Sequence, residues 1–316
     1  MSHEALRLRA RLNRLVRDFF DAHGVLEVET PVMSRAGNTD PNIDSFTVAF
    51  SGRTGGAPRT RWLRTSAEYP MKRLLAEGIG DCYELGRVFR DGEAGGRHNP
   101  EFTMLEWYRV GWALDPLIDE TAEIVRAALA LVGRDATLRK ASFREVYQEA
   151  LDLDPLTAPV DRLQAAFPGQ VDPEGLTRDD WLDLLMTHRI QPAFPPGQLL
   201  AMHDYPASQC ALAKVVRRSD VDVAERFELY LGPLELANGY HELTDAAEQR
   251  ARFERDRAVR SLRGAALPPV DEALLDALGA GLPECSGVAL GIDRLLMAML
   301  GSGAIADVLA FDFAQA

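Results

Sequence analysis

Two extended runs flank a glycine-containing loop in CYELGRVFRDGEAGGRHNPEFTMLEWYR, residues 82–109. CYELGRVFR and EFTMLEWYR read as strands. DGEAGGRH is too long for a two-residue turn, so the segment predicts a β-hairpin with an open loop. In the second run Phe102, Met104, Glu106 and Tyr108 share one parity, and Thr103, Leu105 and Trp107 share the other. A half-buried strand ordinarily sets an apolar face against a plain solvated one. Here one face carries an aromatic ring, a carboxylate and a phenol, so a fold built on this hairpin holds something against that face. Arg90 closes the first strand, and Arg97 and His98 end the loop. Such a group of cations suits a polyphosphate, although a solvated basic turn has the same composition. Phe102 offers a flat surface for a purine or for ordinary core packing.

The rest of the chain supplies helices around further strands. Leu8, Leu12, Leu15, Val16, Phe19 and Phe20 keep a helical period that His23-Gly24 ends. VLEVETP reads as a strand stopped by Pro31, with Leu26, Val28 and Thr30 on one parity. Residues 51–60 form a Gly- and Pro-rich turn between two strand-like runs, and residues 66–77 look like a capped helix start. Residues 113–190 are helical in pattern, broken at Pro155, Pro159, Pro168 and Pro173, and hold no chemical motif. HDYPASQCALAKV and AERFELYLGPLELANGYHEL return to strand-like alternation. Residues 245–263 predict a charged, solvated helix, and CSGVALGIDRLLMAML a glycine-rich strand-to-helix turn. Strands early, middle and late, with helices inserted, predict an α+β fold with a mostly antiparallel sheet flanked by helices.

Three glutamates, Glu228, Glu235 and Glu242, recur every seven residues. Gly232-Pro233 and Asn238-Gly239 interrupt any helix there, which places the acids on strands or turns. Converging carboxylates suit Mg²⁺, and three unrelated surface glutamates fit equally well. Gly287 and Gly291 precede Arg294, but the segment matches neither a dinucleotide fingerprint nor a P-loop. The net charge of −13 weighs against broad binding to nucleic acid. Three widely spaced cysteines, Cys82, Cys210 and Cys285, without a CxxC pair, predict reduced thiols in a cytoplasmic setting. The charged N-terminus is no secretory signal, and no stretch suits a membrane span.

Taken together, these segments resemble the class II aminoacyl-tRNA synthetases. Residues 8–31 look like the first class II motif, the dimer-interface element. FRDGEAGGRHNPEF looks like the second and GVALGIDR like the third, in the family's order. TSAEYPMKRLL, ELANGYHELTDA and CSGVALGIDR are closest to the lysyl branch. Within it they resemble the sub-branch without an anticodon-binding domain, the elongation factor P–lysine ligases. The first motif starts within about ten residues of Met1, so the expectation is one catalytic domain over 1–316, with a helical insertion at 112–200 and no OB-fold.

The resemblance implies a role for each matching position. Arg90 and Arg294 are the catalytic pair, toward the α- and γ-phosphates of ATP. Asp91, Gly92, Glu93, His98, Asn99, Glu235, Leu236 and Gly291 join them around the nucleotide, and Phe102 stacks on adenine with Arg294 over its other face. Glu228 and Glu235 hold Mg²⁺. Glu68 takes the α-ammonium of the amino acid beside Ser66 and Ala67. Glu106, Tyr108 and Glu242 receive the side-chain ammonium, Asn238 sits by the carboxylate, and Gly287 and Ala289 line the pocket floor. A diamino substrate needs such acids, because an unpaired cation out of water is costly.

This sequence departs from the family pattern at three places: Gly92 stands where Glu is frequent, Ala289 where lysyl-tRNA synthetases commonly have Gly, and Ala67 where Pro is common. The implied reaction is ATP-dependent activation of lysine or (R)-β-lysine as the adenylate. Transfer to a lysine ε-amino group of elongation factor P follows, by a homodimer. The alternatives are tRNA aminoacylation, against which the acidic balance and the short N-terminus weigh, and a non-catalytic paralogue, against which Arg90 and Arg294 weigh.

Overall fold

The computed structural model describes residues 3–316. These residues form two compact units, one up to Trp112 together with Thr244–Ala316, the other Ala113–Leu243.

In the first unit the leucine period produces the helix His3–Ala22, which buries Ala5, Leu8, Leu12, Val16 and Phe20. Phe20 stacks on Tyr83 at 4.4 Å between ring centroids and lies 5.4 Å from Trp107. Gly24, at φ +67°, supplies the left-handed turn that ends the helix. The strand expected over VLEVETP narrows to Leu26–Glu27, parallel to Cys82–Phe89. The expected parity holds at Thr30, which is buried, and fails at Leu26, which is 50% exposed while Val25 is buried. The Leu26 N–H to Asp81 O at 3.0 Å and the Val28 N–H to Tyr83 O at 2.8 Å extend the pairing at its two ends.

The hairpin forms as expected. Cys82–Phe89 runs antiparallel to Glu101–Val110, from Phe89 opposite Glu101 to Cys82 opposite Tyr108. Cys285–Gly291 then pairs along the other edge of Glu101–Val110, with Gly287 opposite Tyr108 and Ala289 opposite Glu106. The helix Ile292–Leu300 follows directly. Both faces of the second hairpin strand are covered: Leu105 and Trp107 are fully buried, and so are Glu106 and Tyr108 on the other parity. A separate small sheet orders Met33–Ser34, Thr60–Leu63 and Thr47–Ala49, with the predicted turn at 51–60 between the last two.

Two helices of this unit differ from expectation. Glu68–Ala76 has Ala67 at its N-cap with no side-chain cap; Ser66 Oγ accepts the Glu68 N–H instead, at 3.0 Å. Ala246–Leu262 is capped by Asp245 but is not simply solvated, since it buries Gln249, Arg252, Phe253 and Arg260. Arg260 donates to the carbonyls of Thr39, Asp40, Ile43 and Ala266 and to the Asp44 carboxylate. Its planar fork of donors lets a charged side chain lie inside.

The second unit holds the helices Leu114–Ala130, Phe143–Leu151, Val160–Ala166 and Arg178–Leu185. Ser142 with Glu145, and Thr177 with Asp180, form capping boxes that start two of them. The region expected to be helical also contains the strand Thr137–Ser142, parallel to Gln198–Pro206. Val221–Leu231 pairs antiparallel with Gln198–Pro206, Val215–Arg218 and Leu234–His241. Phe143, Tyr147, Trp181, Leu182, Met202, Tyr205 and Tyr230 fill the core between these strands and the helices. In both units antiparallel pairings predominate, as the α+β reading expects. No described helix is long and apolar enough to cross a membrane. Cys82 and Cys285 are buried, Cys210 is half-buried, and no disulfide joins them.

Candidate active site

The hairpin loop brings its cations together. Arg90 leaves the first strand with its backbone N–H on Pro100 O at 2.9 Å, which closes the loop at its base. Its guanidinium lies 5.2 Å from the Phe102 ring centroid and 3.7 Å from Glu93. Arg90 thus lies beside the ring that the resemblance stacks on adenine. Arg294, which the resemblance places over the far face of the adenine, donates to His98 Nε2 at 2.8 Å. Partial shielding of the ring from water, then the Arg294 charge, lower the His98 pKa, which leaves the imidazole neutral and able to accept that bond. Gly92 stands at φ +78°, a backbone that a glutamate would strain, and this accounts for the departure there. The Asp91 N–H is held by Asp44 O at 2.8 Å. The Asn99 side chain is buried: its Nδ2 donates to Glu101 O at 2.7 Å, and its Oδ1 accepts the Phe313 N–H at 2.9 Å.

Further along the same strand, Glu106 faces the start of the Glu68–Ala76 helix. Its carboxylate accepts from the Ala67 N–H at 2.7 Å and from Ser66 Oγ at 2.9 and 3.0 Å. Burial pushes its pKa up to about 7; the Ala67 bond works against that and the nearby Glu68 charge adds to it. Ala289, directly opposite on the neighbouring strand, shares its face, so its methyl borders the carboxylate. Gly291 is opposite Met104. Glu68, expected to meet an α-ammonium, is paired with the buried Lys72 one helical turn on, at 2.6 Å. The hairpin is stiffened behind this site by a buried Arg64–Glu84 pair at 2.6 Å, with Thr30 Oγ1 donating to Glu84. Gly86 leaves room for it; a Cβ there would collide with both side chains.

In the second unit the register sets three predicted groups, Glu228, Glu235 and Asn238, on one sheet face with Tyr230. Glu228 is opposite Asn238, and Tyr230 is opposite Glu235. A register shift between Leu229 and Tyr230 lets Glu235 and Asn238, three residues apart, share that face. The Glu228 carboxylate is engaged by Arg226 and by the Tyr230 hydroxyl. Arg226 Nε also donates to Asn238 Oδ1 at 3.2 Å, and Asn238 Nδ2 donates to Tyr240 at 2.9 Å. Burial works against the Arg226 charge, but Glu228 together with Tyr240, Tyr205 and Tyr230 more than offsets it, and its pKa is raised. Leu236 is buried. Glu242 follows the strand, bridged to Ala213 and 1% exposed. Among the described residues no group of three or more His, Cys, Asp or Glu could hold a metal ion. Two carboxylates on one face still fit Mg²⁺, which typically takes one or two acids and completes its shell with water and phosphate oxygens.

Sequence reasoning missed Lys72 and Arg226. Lys72 was readable as the i+4 partner of Glu68 on a helix. Arg226 was readable as the same-face neighbour, two residues before Glu228, once that segment is a strand.

The model of the tRNA synthetases class II (D, K and N) matches residues 1–315. A protein of Mannheimia succiniciproducens named elongation factor P–(R)-β-lysine ligase is 45% identical over 96% of this chain and 93% of its own length. Proteins of the same name from Yersinia enterocolitica and Salmonella paratyphi B are each 44% identical, over 98% and 96% of this chain and 94% and 93% of theirs. Matched from end to end by the family model, the chain belongs to the class II tRNA synthetases of the D, K and N group.

Proposed function

We propose that the protein joins a lysine-type amino acid, (R)-β-lysine or lysine, to a lysine side chain of elongation factor P at the expense of ATP. The observation that carries this reading is the match of 44–45% identity over nearly the whole chain to ligases of that name. The buried Glu106 supports a substrate with a second ammonium group. In the first step the amino-acid carboxylate attacks the α-phosphorus of ATP in line, and pyrophosphate leaves with the P–O electron pair. Arg90 and Arg294 orient the phosphates and offset their charge, with His98 and Phe102 beside them. Glu228 and Glu235 would hold Mg²⁺, which when bound neutralises phosphate charge. Glu106, Tyr108, Glu242 and Glu68 receive the two ammonium groups, with Ser66, Ala67, Asn238 and Ala289 around them. In the second step the neutral ε-amine of the acceptor attacks the adenylate carbonyl. The C–N bond forms, AMP departs with the C–O pair, and the amine loses its proton.

The protein works in this reading as a cytoplasmic homodimer and as a single catalytic domain. Exposed apolar side chains on the small sheet and its flanks, Met33, Val48 and Phe50, support a covering second copy. The test is incubation with ATP and either α- or β-lysine, following pyrophosphate release and then label transfer to elongation factor P or to tRNA. Pyrophosphate release and label on elongation factor P are expected. Label on tRNA alone would overturn the acceptor, and no adenylate with any diamino acid would overturn the reaction.

A further inference from the structure

The loop from Arg90 to Pro100 carries the predicted phosphate contacts, yet Asp91, Gly92 and the run from Ala94 to His98 are exposed. Packing of its own does not set its shape. Its far half carries a backbone bridge between Gly95 and His98 and is held to the rest of the unit from the C-terminal segment. The Ile305 N–H donates to Gly96 O at 2.8 Å, and the Phe313 N–H donates to Asn99 Oδ1 at 2.9 Å. Because Asn99 Nδ2 also reaches Glu101 O, one buried amide ties the C-terminal segment to the first residue of the strand that bears Phe102 and Glu106.

The segment is a firm anchor. Ile305, Val308 and Leu309 are buried. Arg9 Nη2 donates to Val308 O at 3.0 Å and pairs with Asp293. Asp293 Oδ2 in turn accepts the Thr103 N–H at 2.7 Å, so the anchor returns to the same strand. We propose that residues 305–313 brace the loop in the shape that receives ATP. Asn99 is then a positioning residue that acts through the loop rather than a contact to the nucleotide. This inference rests on the nucleotide reading of the loop given above.

The bond to Asn99 can be removed alone. Asp312 O accepts the Gln315 N–H at 3.0 Å, so Phe313 occupies the second position of a turn, where proline is favoured. Phe313→Pro deletes the N–H donor and keeps the turn. Phe313→Ala keeps the donor and removes a side chain that is 63% exposed. In the ligand-free Phe313→Pro protein, amide hydrogen exchange across residues 92–98 is expected to quicken. Its KM for ATP in pyrophosphate release should rise about fivefold, the scale of one lost hydrogen bond. The KM for lysine and kcat should stay put, and Phe313→Ala should match the unaltered protein. Deleting residues 311–316 removes the same donor by another route and must give the same ATP effect. Unchanged loop exchange in Phe313→Pro, or faster exchange with an unchanged KM for ATP, overturns the brace. Failure of the unaltered protein to bind ATP in calorimetry overturns the nucleotide reading itself, whatever the exchange data give.

Discussion

Glu106 combines burial with a full set of neutral donors, and this makes its charge conditional. A carboxyl held up to about 7 binds a proton near neutrality when no cation faces it. An ammonium ion beside it favours the carboxylate, so its pKa in the complex falls and binding releases a proton. The sign follows: affinity for the diamino acid is full above about pH 7 and is lost as pH falls below it. The KM for lysine should therefore climb between pH 7 and pH 6 while the KM for ATP stays level. Glu106→Gln should raise the KM for lysine by roughly 10- to 100-fold and remove that pH dependence. Steady-state pyrophosphate release across pH reads both, and a pH profile that survives in the variant would assign the titration elsewhere. The alternation of EFTMLEWYR was enough to put Glu106 and Tyr108 on one face. It could not show that the face is covered, because period two says which side chains share a side and nothing about the layer above them. The structural partner of Asn99 was hidden for a related reason: the Phe313 N–H lies 214 positions away.

Local pattern decides elements when neighbours in sequence are also neighbours in space. The hairpin, the Cys285–Gly291 strand with its following helix, and His3–Ala22 were legible because their period, loop and glycine signals all lie within the segment. Thr137–Ser142 was not, since TLRKAS has neither alternation nor apolar character and is a strand through its parallel pairing with Gln198–Pro206. Ala246–Leu262 was recognised as a helix but not as a buried one, because Arg260 finds its acceptors in a loop 216 to 221 positions earlier. That loop, 39–44, also holds the Asp91 N–H through Asp44. Arg260→Met should cost about 2–3 kcal/mol, the scale for leaving buried carbonyls without donors. Arg260→Lys should recover only part of it, as an ammonium lacks the fork that spans several carbonyls. Denaturant unfolding of the three proteins measures this, and a loss under about 0.5 kcal/mol for the methionine variant would show that water replaces the guanidinium.

At the scale of the chain, the early, middle and late strands were enough to give an α+β class with mostly antiparallel pairing, and three ordered motifs gave the family. The extent of the second unit was not legible: Ala113–Leu243 joins the helical stretch to the strands that follow it. Its core depends on contacts such as Phe143 with Tyr205, 5.0 Å between ring centroids, which no segment announces alone. Assembly is the property that sequence and fold approach together. Single exposed apolar residues are ordinary, but Met33 at 53%, Val48 at 37% and Phe50 at 45% lie on or beside the same three short strands. Such a sheet, too small to bury its own side chains, gains most from a second copy, since each covered apolar surface contributes roughly 25 cal/mol per Å². The unaltered protein should sediment at twice the 34.8 kDa chain mass. Met33→Asp with Val48→Asp should sediment at the chain mass itself with its far-ultraviolet circular dichroism intact, because both sites are exposed and neither carries the fold. Dimer formation is concentration-dependent, so the measurement belongs at several loadings. A double variant that still sediments as a dimer would move the interface away from the small sheet, and an unaltered protein that stays at the chain mass at every loading would remove the dimer altogether.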